Sequence, residues 1–391
     1  MFKSQRLILI LCCLLFAGLF TQAQSDTFPP RHASEWMTTP LRGAVVELSW
    51  RGGGEEYEPG AGFVPSPELF EEMRDLGANV VVVYVQQTWT LEAPYEPIPE
   101  EIALLEETLN NIGDTLPIVV GIRNGPGRNA MMPNFEDDLL NNNIYESEDV
   151  RQAYLAMLRD TVNRFADNPN IIAWEPMIEP TPHFFFGTEF LYVDESEKQF
   201  PPMPQALNWW NNFAGQMITA IRDVLPEMTI MIEPIFVGSV DGFNGWSAFA
   251  DDNIVYSLHH YDPFEYTHQF SEPYIEYPYY SDIEVAQVDA AWVDSYLAPV
   301  DAFQQAYNVP IFVGEWGLIR WVPGAEQFLR DNLNSFERRG WSHALYAWYD
   351  GVWDGSGFEL QFGAERENIE EVDYDNPLLV PVLESWALNG N

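Results

Sequence analysis

Eight short apolar runs punctuate this 391-residue chain, and most are followed by a loop and then a segment of helical period. The runs fall at residues 44–48, 80–85, 118–122, 171–177, 229–232, 254–258, 311–313 and 343–348. They are rich in β-branched residues with no polar alternation, which is the pattern of strands buried on both faces of a parallel sheet. Helical period follows at 66–76, 100–112, 150–165, 205–224, 286–307 and 327–338, with starts marked by Pro67 and by Ser147 ahead of Glu148. Eight strands alternating with helices predict an α/β fold, a single (β/α)8 TIM barrel. The longest loops, 124–148, 181–203, 235–251 and 261–283, all come after strands. They are therefore expected on the C-terminal face of the strands, where such barrels keep their chemistry.

The first residues stand apart from this rhythm. Lys3 and Arg6 precede the apolar run 7–20, and Thr21-Gln22-Ala23 follows, which is the pattern of a secretory signal peptide over residues 1–24. The run is short for a membrane span. The expectation is a secreted, extracellular catalytic barrel over residues 25–391, monomeric and free of the membrane once the leader is removed. Both cysteines, Cys12 and Cys13, lie in the leader, so residues 25–391 contain no thiol for a disulfide or a thiolate metal site. Loss of Lys3 and Arg6 moves the formal net charge from −42 to −44, because the leader holds no acidic residue. So acidic a chain is a poor partner for nucleic acid.

Two strand ends carry the chemistry. Ala173-Trp174-Glu175-Pro176-Met177-Ile178-Glu179-Pro180 and Val313-Gly314-Glu315-Trp316-Gly317 each set a glutamate at the rim. A single such Glu can cap the next helix or pair with an arginine. Two facing carboxyl groups match glycosidic bond cleavage, which needs one acid on the leaving oxygen and one carboxylate at the sugar carbon. Aromatic residues crowd the same loops: Trp89, Trp209, Trp210, Trp246, Trp321, Trp353 and the cluster 261–280. Flat sugar faces pack on such rings, although core packing accounts for many tryptophans. Metal and cofactor are expected to be absent, since His259 and His260 are adjacent and no His/Asp/Glu set has zinc-like spacing. A serine or cysteine hydrolase has no support in the sequence, which lacks a Gly-x-Ser-x-Gly elbow and any Cys after the leader.

At residues 41–350 the chain resembles the clan A retaining glycoside hydrolases, most closely glycoside hydrolase family five, the cellulase and mannanase family. The resemblance rests on Trp174-Glu175 through Glu179-Pro180, on Ser257-Leu258-His259-His260-Tyr261-Asp262-Pro263, on Ile311 to Gly317, and on Ala347-Trp348. It implies a retaining β-glycoside hydrolase acting on an oligo- or polysaccharide of β-glucan or β-mannan type, with Glu179 as acid/base and Glu315 as nucleophile. It further implies that His259 supports the acid/base, that Tyr261 hydrogen-bonds the nucleophile, and that Trp348, with Trp316 beside the second Glu, serves the sugar.

Two positions depart from the family pattern. Ile178 stands where the family has Asn, a donor to the sugar 2-hydroxyl, and Val82 stands where an Arg is usual. Arg123 could replace that charge, or be a surface ion-pair member, and Asn124 or His260 could replace the donor. These departures leave a second reading open, a carbohydrate-binding barrel of the same fold with weak or lost hydrolysis.

Overall fold

A computed structural model describes residues 28, 32–48, 62, 64–129, 143–186, 204–350, 357–369 and 371–390. The expected leader, the glycine-rich stretch near residue 53 and Trp353 lie outside them.

Eight parallel strands close into a barrel: β1 (Arg42–Leu48), β2 (Val80–Val85), β3 (Ile118–Ile122), β4 (Ile171–Glu175), β5 (Thr229–Ile232), β6 (Ile254–His260), β9 (Ile311–Trp316) and β10 (Ser342–Asp350). A small antiparallel hairpin, β7 (Tyr279–Ser281) and β8 (Ala286–Val288), lies in the connection between β6 and β9. Every residue of β1 to β6 and of β9 is buried, as their unbroken apolar sequences require. β3 has room for its neighbours because of Gly121, where a Cβ would lie 2.7 Å from the Tyr84 ring and 2.9 Å from Ile178.

The helices form the outer layer. In Glu148–Arg164, Ser147 caps the first turn by accepting the Val150 N–H. Its buried face runs through Val150, Tyr154, Leu158 and Thr161. The helix expected over 286–307 is a correction: the structure has β8, then helices Ala290–Tyr296 and Ala298–Tyr307. Asp289 accepts the Ala291 and Trp292 N–H groups and so begins a new helix, and Pro299 starts the second one, where its missing N–H costs nothing. The C-terminal helix Val380–Trp386 packs beside helix Ala325–Arg339 and β1 in the outer layer. The 3-10 turn Ala33–Met37 lies at the N-terminal ends of β6 and β9, where the Ala33 N–H donates to Asn253 and Trp36 meets Phe312. Arg42, at the start of β1, pairs with Glu337 at 2.6 Å. Among the described residues no helix is long and apolar enough to cross a membrane.

Candidate active site

At the C-terminal mouth one guanidinium ties three strands together. Arg123, just past β3, gives Nε to Glu47 at 2.9 Å, Nη1 to Glu179 at 3.2 Å and Nη2 to Glu315 at 3.1 Å, and lies over the Tyr84 ring. Its planar fork is what permits three carboxylates to be met at once. Glu47, on β1, is held further by Gln86 at 2.5 Å and by the Tyr346 hydroxyl at 2.6 Å. Arg123 therefore does supply positive charge under the nucleophile candidate, and Val82 is wholly buried in β2.

Around this hub, Tyr261 donates its hydroxyl to Glu315 Oε2 at 2.9 Å. His259 Nδ1 lies 3.0 Å from Glu179 Oε1 and 3.4 Å from Glu315 Oε2. One oxygen of Glu179 and one of Glu315 are within 4.8 Å of each other. The Glu179 backbone is left-handed, φ 52°, and is clamped from outside by the buried Arg128, whose guanidinium donates to the Arg123, Ile178 and Glu179 carbonyls. Glu179, His259 and Glu315 are also spaced as cation ligands. The Arg123 guanidinium already lies against both carboxylates and brings the positive charge that a metal would bring.

An acid/base Glu179 would start protonated and a nucleophilic Glu315 ionised, and the electrostatics here run the other way. Burial would raise Glu179, but the His259 hydrogen bond and the Arg123 charge overcome it and bring its pKa down to about 2. Burial raises Glu315 to about 7, with His259 and Arg123 only partly opposing it. Burial alone would lower His259, yet the Glu233 and Glu315 carboxylates hold it well above the ordinary imidazole value. The direction is thus the reverse of the roles: the acid/base candidate is drawn toward its ionised form and the nucleophile candidate toward its protonated form. The cause is local: Glu179 faces the imidazolium most closely, and Glu315 is the more deeply buried of the two.

Other expected residues lie elsewhere. Trp348 is 2% exposed and packs on Tyr374 and Trp386 in the outer layer. β10 is bulged here: Ala44 to Val46 of β1 pairs across Leu345 to Tyr349, so strand alternation no longer gives the direction of a side chain. The β10 aromatic that does reach the site is Tyr346. Trp316 is fully buried, edge-on to Phe336 and His343, because it follows an inward-facing Glu315 and must turn outward. Trp174, Trp210 and Trp246 are likewise core residues, whereas Trp89, Trp209 and Trp321 are half-buried. Ile178 is wholly buried against Gly121, and Asn124 donates to Gln86. His260 faces outward onto Tyr296 and Phe336.

Sequence reasoning missed Glu47, Arg128, Tyr346 and Glu233. For Glu233 the signal existed: Ile232-Glu233-Pro234 repeats, after β5, the Glu-Pro ending seen at Glu175-Pro176 and Glu179-Pro180.

A model of the family described as Cellulase (glycosyl hydrolase family 5) matches residues 53–351. Cellodextrinase A of Ruminococcus flavefaciens is 21% identical over 189 residues, 48% of this chain and 50% of that protein. Endoglucanase 3 of Fibrobacter succinogenes is 35% identical over 83 residues, 21% of this chain and 12% of that protein. The chain thus spans half or less of the length of these curated relatives. Endoglucanase Cel5A from the hyperthermophilic Thermotoga maritima shares the fold at 18% identity and a TM-score of 0.63, over 91% of this chain and 100% of that one. The same enzyme has been solved with mannotriose and with cellobiose. A closed eight-stranded parallel barrel, and a family match covering well over half of the residues, establish that this chain belongs to glycosyl hydrolase family 5, the cellulase family.

Proposed function

We propose that the chain is a secreted, retaining β-glycoside hydrolase that cleaves a β-linked glucan or mannan by double displacement. The observation that carries this reading is the Glu179–Glu315 pair, with oxygens within 4.8 Å and Arg123 and His259 shared between them. Retaining enzymes hold their two carboxyl groups about 5 to 5.5 Å apart, and inverting ones leave about 6.5 to 9.5 Å for a water. In this reading Glu315 attacks the anomeric carbon while Glu179 protonates the leaving oxygen. Tyr261 and Arg123 hold the nucleophile as its charge changes. Glu179 then takes a proton from the water that frees the sugar.

The resting proton must first change sides. Because His259 Nδ1 reaches both carboxyls, its Nδ1–H passes to Glu179 Oε1 as the Glu315 proton passes to Nδ1. The imidazolium is regenerated and no proton leaves the site. Mannotriose and cellobiose complexes of the Thermotoga maritima relative support glucans and mannans as the first substrates to try.

Reducing-end assays over β-glucans, β-mannans, xylans and aryl glycosides, with Glu315→Gln as the blank, test the reading. Release that depends on Glu315 from a β-glucan or β-mannan supports it. The resting proton on Glu315 favours one other reading, a glycan-binding barrel with little hydrolysis. Binding to a glycan without release on any substrate would decide for that one.

A further inference from the structure

Beneath the proposed catalytic pair lies a second pair of carboxyl groups to which the mechanism gives no role. We propose that the Glu233 carboxylate, backed by Glu175, is a positioning device: it fixes the Glu179 backbone from below and holds His259 so that Nδ1 faces both rim carboxylates. The inference rests on the acid/base role proposed for Glu179.

Glu233 reaches both members from one buried position. Its Oε2 accepts the Glu179 N–H at 2.9 Å, and its Oε1 lies 3.2 Å from His259 Nε2. The chain after β5 is shaped around that carboxylate. Phe236, Val237 and Gly238 are three consecutive left-handed residues, with φ 64°, 54° and 74°. For Phe and Val such backbone costs about 1 to 3 kcal/mol each and persists only where the surroundings over-determine it. Those surroundings are visible: Val237 N–H donates to the Pro180 carbonyl, His259 N–H to the Gly238 carbonyl, and Trp210 Nε1 to the Glu233 carbonyl. Gly238 is required for closeness, since a Cβ there would lie 2.2 Å from Glu233 Oε2. The loop thus joins the acid/base residue, the histidine and Glu233 into one unit.

Glu175 completes it. The residue is wholly buried on β4, and neither carboxyl oxygen has a well-formed hydrogen bond. Burial and the facing Glu233 carboxylate push its pKa well above the usual carboxylate range, toward the neutral acid. Its O–H has Glu233 as a neighbouring acceptor. The two carboxyls lie together beneath the imidazole, with Glu233 Oε1 3.2 Å from Nε2. From other elements the charged groups facing His259 and Glu179 are Arg123 and Arg128 beyond β3 and Glu315 on β9, with Glu47 behind Arg123. Tyr84 and Tyr261 face the site as neutral phenols, and His268 is kept neutral by burial. On the buried side of the ring, the Tyr84 hydroxyl, 3.5 Å from Nε2, shares the space with Glu233.

The test uses the full chain with 15N-labelled histidine. In Glu233→Gln the amide nitrogen replaces the charge facing Nε2. The ring should become neutral with its proton on Nδ1, which nitrogen shifts at about pH 6 read directly. Glu179 then loses a cation that holds it ionised, so the basic limb of kcat/KM should move up by about one pH unit. On an unactivated glycan kcat should fall about tenfold or more, with KM within about twofold, because the acid is mis-aimed and not the sugar. Glu175→Gln keeps a donor and should stay within about twofold of the parent, whereas Glu175→Leu should lose at least about fivefold. A ring that stays charged in Glu233→Gln, or a variant that loses only thermal stability with its pH profile unmoved, overturns the proposal. A parent protein that hydrolyses nothing sinks the hydrolase reading instead, and the histidine shifts still decide this one.

Discussion

Replacing Arg123 with Met removes, among the described residues, the one side-chain cation that touches all three of Glu47, Glu179 and Glu315, and leaves the aliphatic stem in place. The contacts are 2.9, 3.2 and 3.1 Å between heavy atoms. At about 4 Å between charge centres and an effective dielectric of about 20, each contact with an ionised carboxylate is about 4 kcal/mol; Glu315, raised to about 7, is only partly ionised at about pH 7, so the three sum to roughly 8 to 12 kcal/mol before costs. Burying a guanidinium costs several kcal/mol, and stranded carboxylates relieve themselves by taking up protons. The expected net loss is therefore about 3 to 5 kcal/mol at about pH 7, the range seen when one partner of a buried pair is removed. The sign with pH follows from linkage. The stranded carboxyls have native pKa values raised above their unfolded ones, while in the parent Glu179 is held down to about 2, so the deficit is full above the raised values, shrinks as pH falls through about 4 and vanishes only near about 2. Urea unfolding at about pH 7 and about pH 4.5 reads this directly, with the m-value as a check on two-state behaviour. A loss under about 1 kcal/mol at neutral pH, or one that does not shrink on acidification, would refute the hub as described.

Further outcomes follow from the same geometry. The rim pair carries one proton between about pH 2 and about 7. kcat/KM should therefore fall about tenfold per unit above pH 7, with no acid limb from this pair down to the pH of acid unfolding; a basic limb near pH 5 would contradict the Glu315 assignment. Ile178→Asn buries an amide against Gly121 and Tyr84, so it should cost about 1 to 3 kcal/mol in stability and leave kcat/KM no higher; a tenfold gain in kcat/KM would mean the side chain reaches the sugar. Trp348→Ala should cost about 3 to 5 kcal/mol through the cavity left against Tyr374 and Trp386. Trp348→Phe should leave KM unchanged, where a sugar platform would raise it severalfold.

The barrel was legible because its strands are unbroken apolar runs with turn residues between them, and a run such as Val80–Val85 has no other stable place than a doubly covered sheet. The rim residues Glu179, Glu315, His259 and Tyr261 were legible because each sits where a strand ends, and the structure brings all four together. Side-chain direction was not legible. Trp348 reads as a rim residue until the bulge opposite Ala44 to Val46 is known, and nothing in Tyr346-Ala347-Trp348 announces it. Charge state was also hidden, because it depends on His259 and Arg123 converging from two strands far apart in the chain. Glu175 and Glu179 look alike in sequence. Burial in the barrel interior raises the pKa of one, and His259 and Arg123 at the mouth lower that of the other.

The double displacement itself is tested most directly by trapping. An activated 2-deoxy-2-fluoro glycoside slows both steps, so a covalent glycosyl-enzyme accumulates and its peptide can be identified by mass spectrometry. Double displacement through Glu315 gives a single adduct on Glu315, absent in Glu315→Gln and still formed in Glu179→Ala. An adduct on Glu179, or turnover with an inverted product and no adduct, would contradict it.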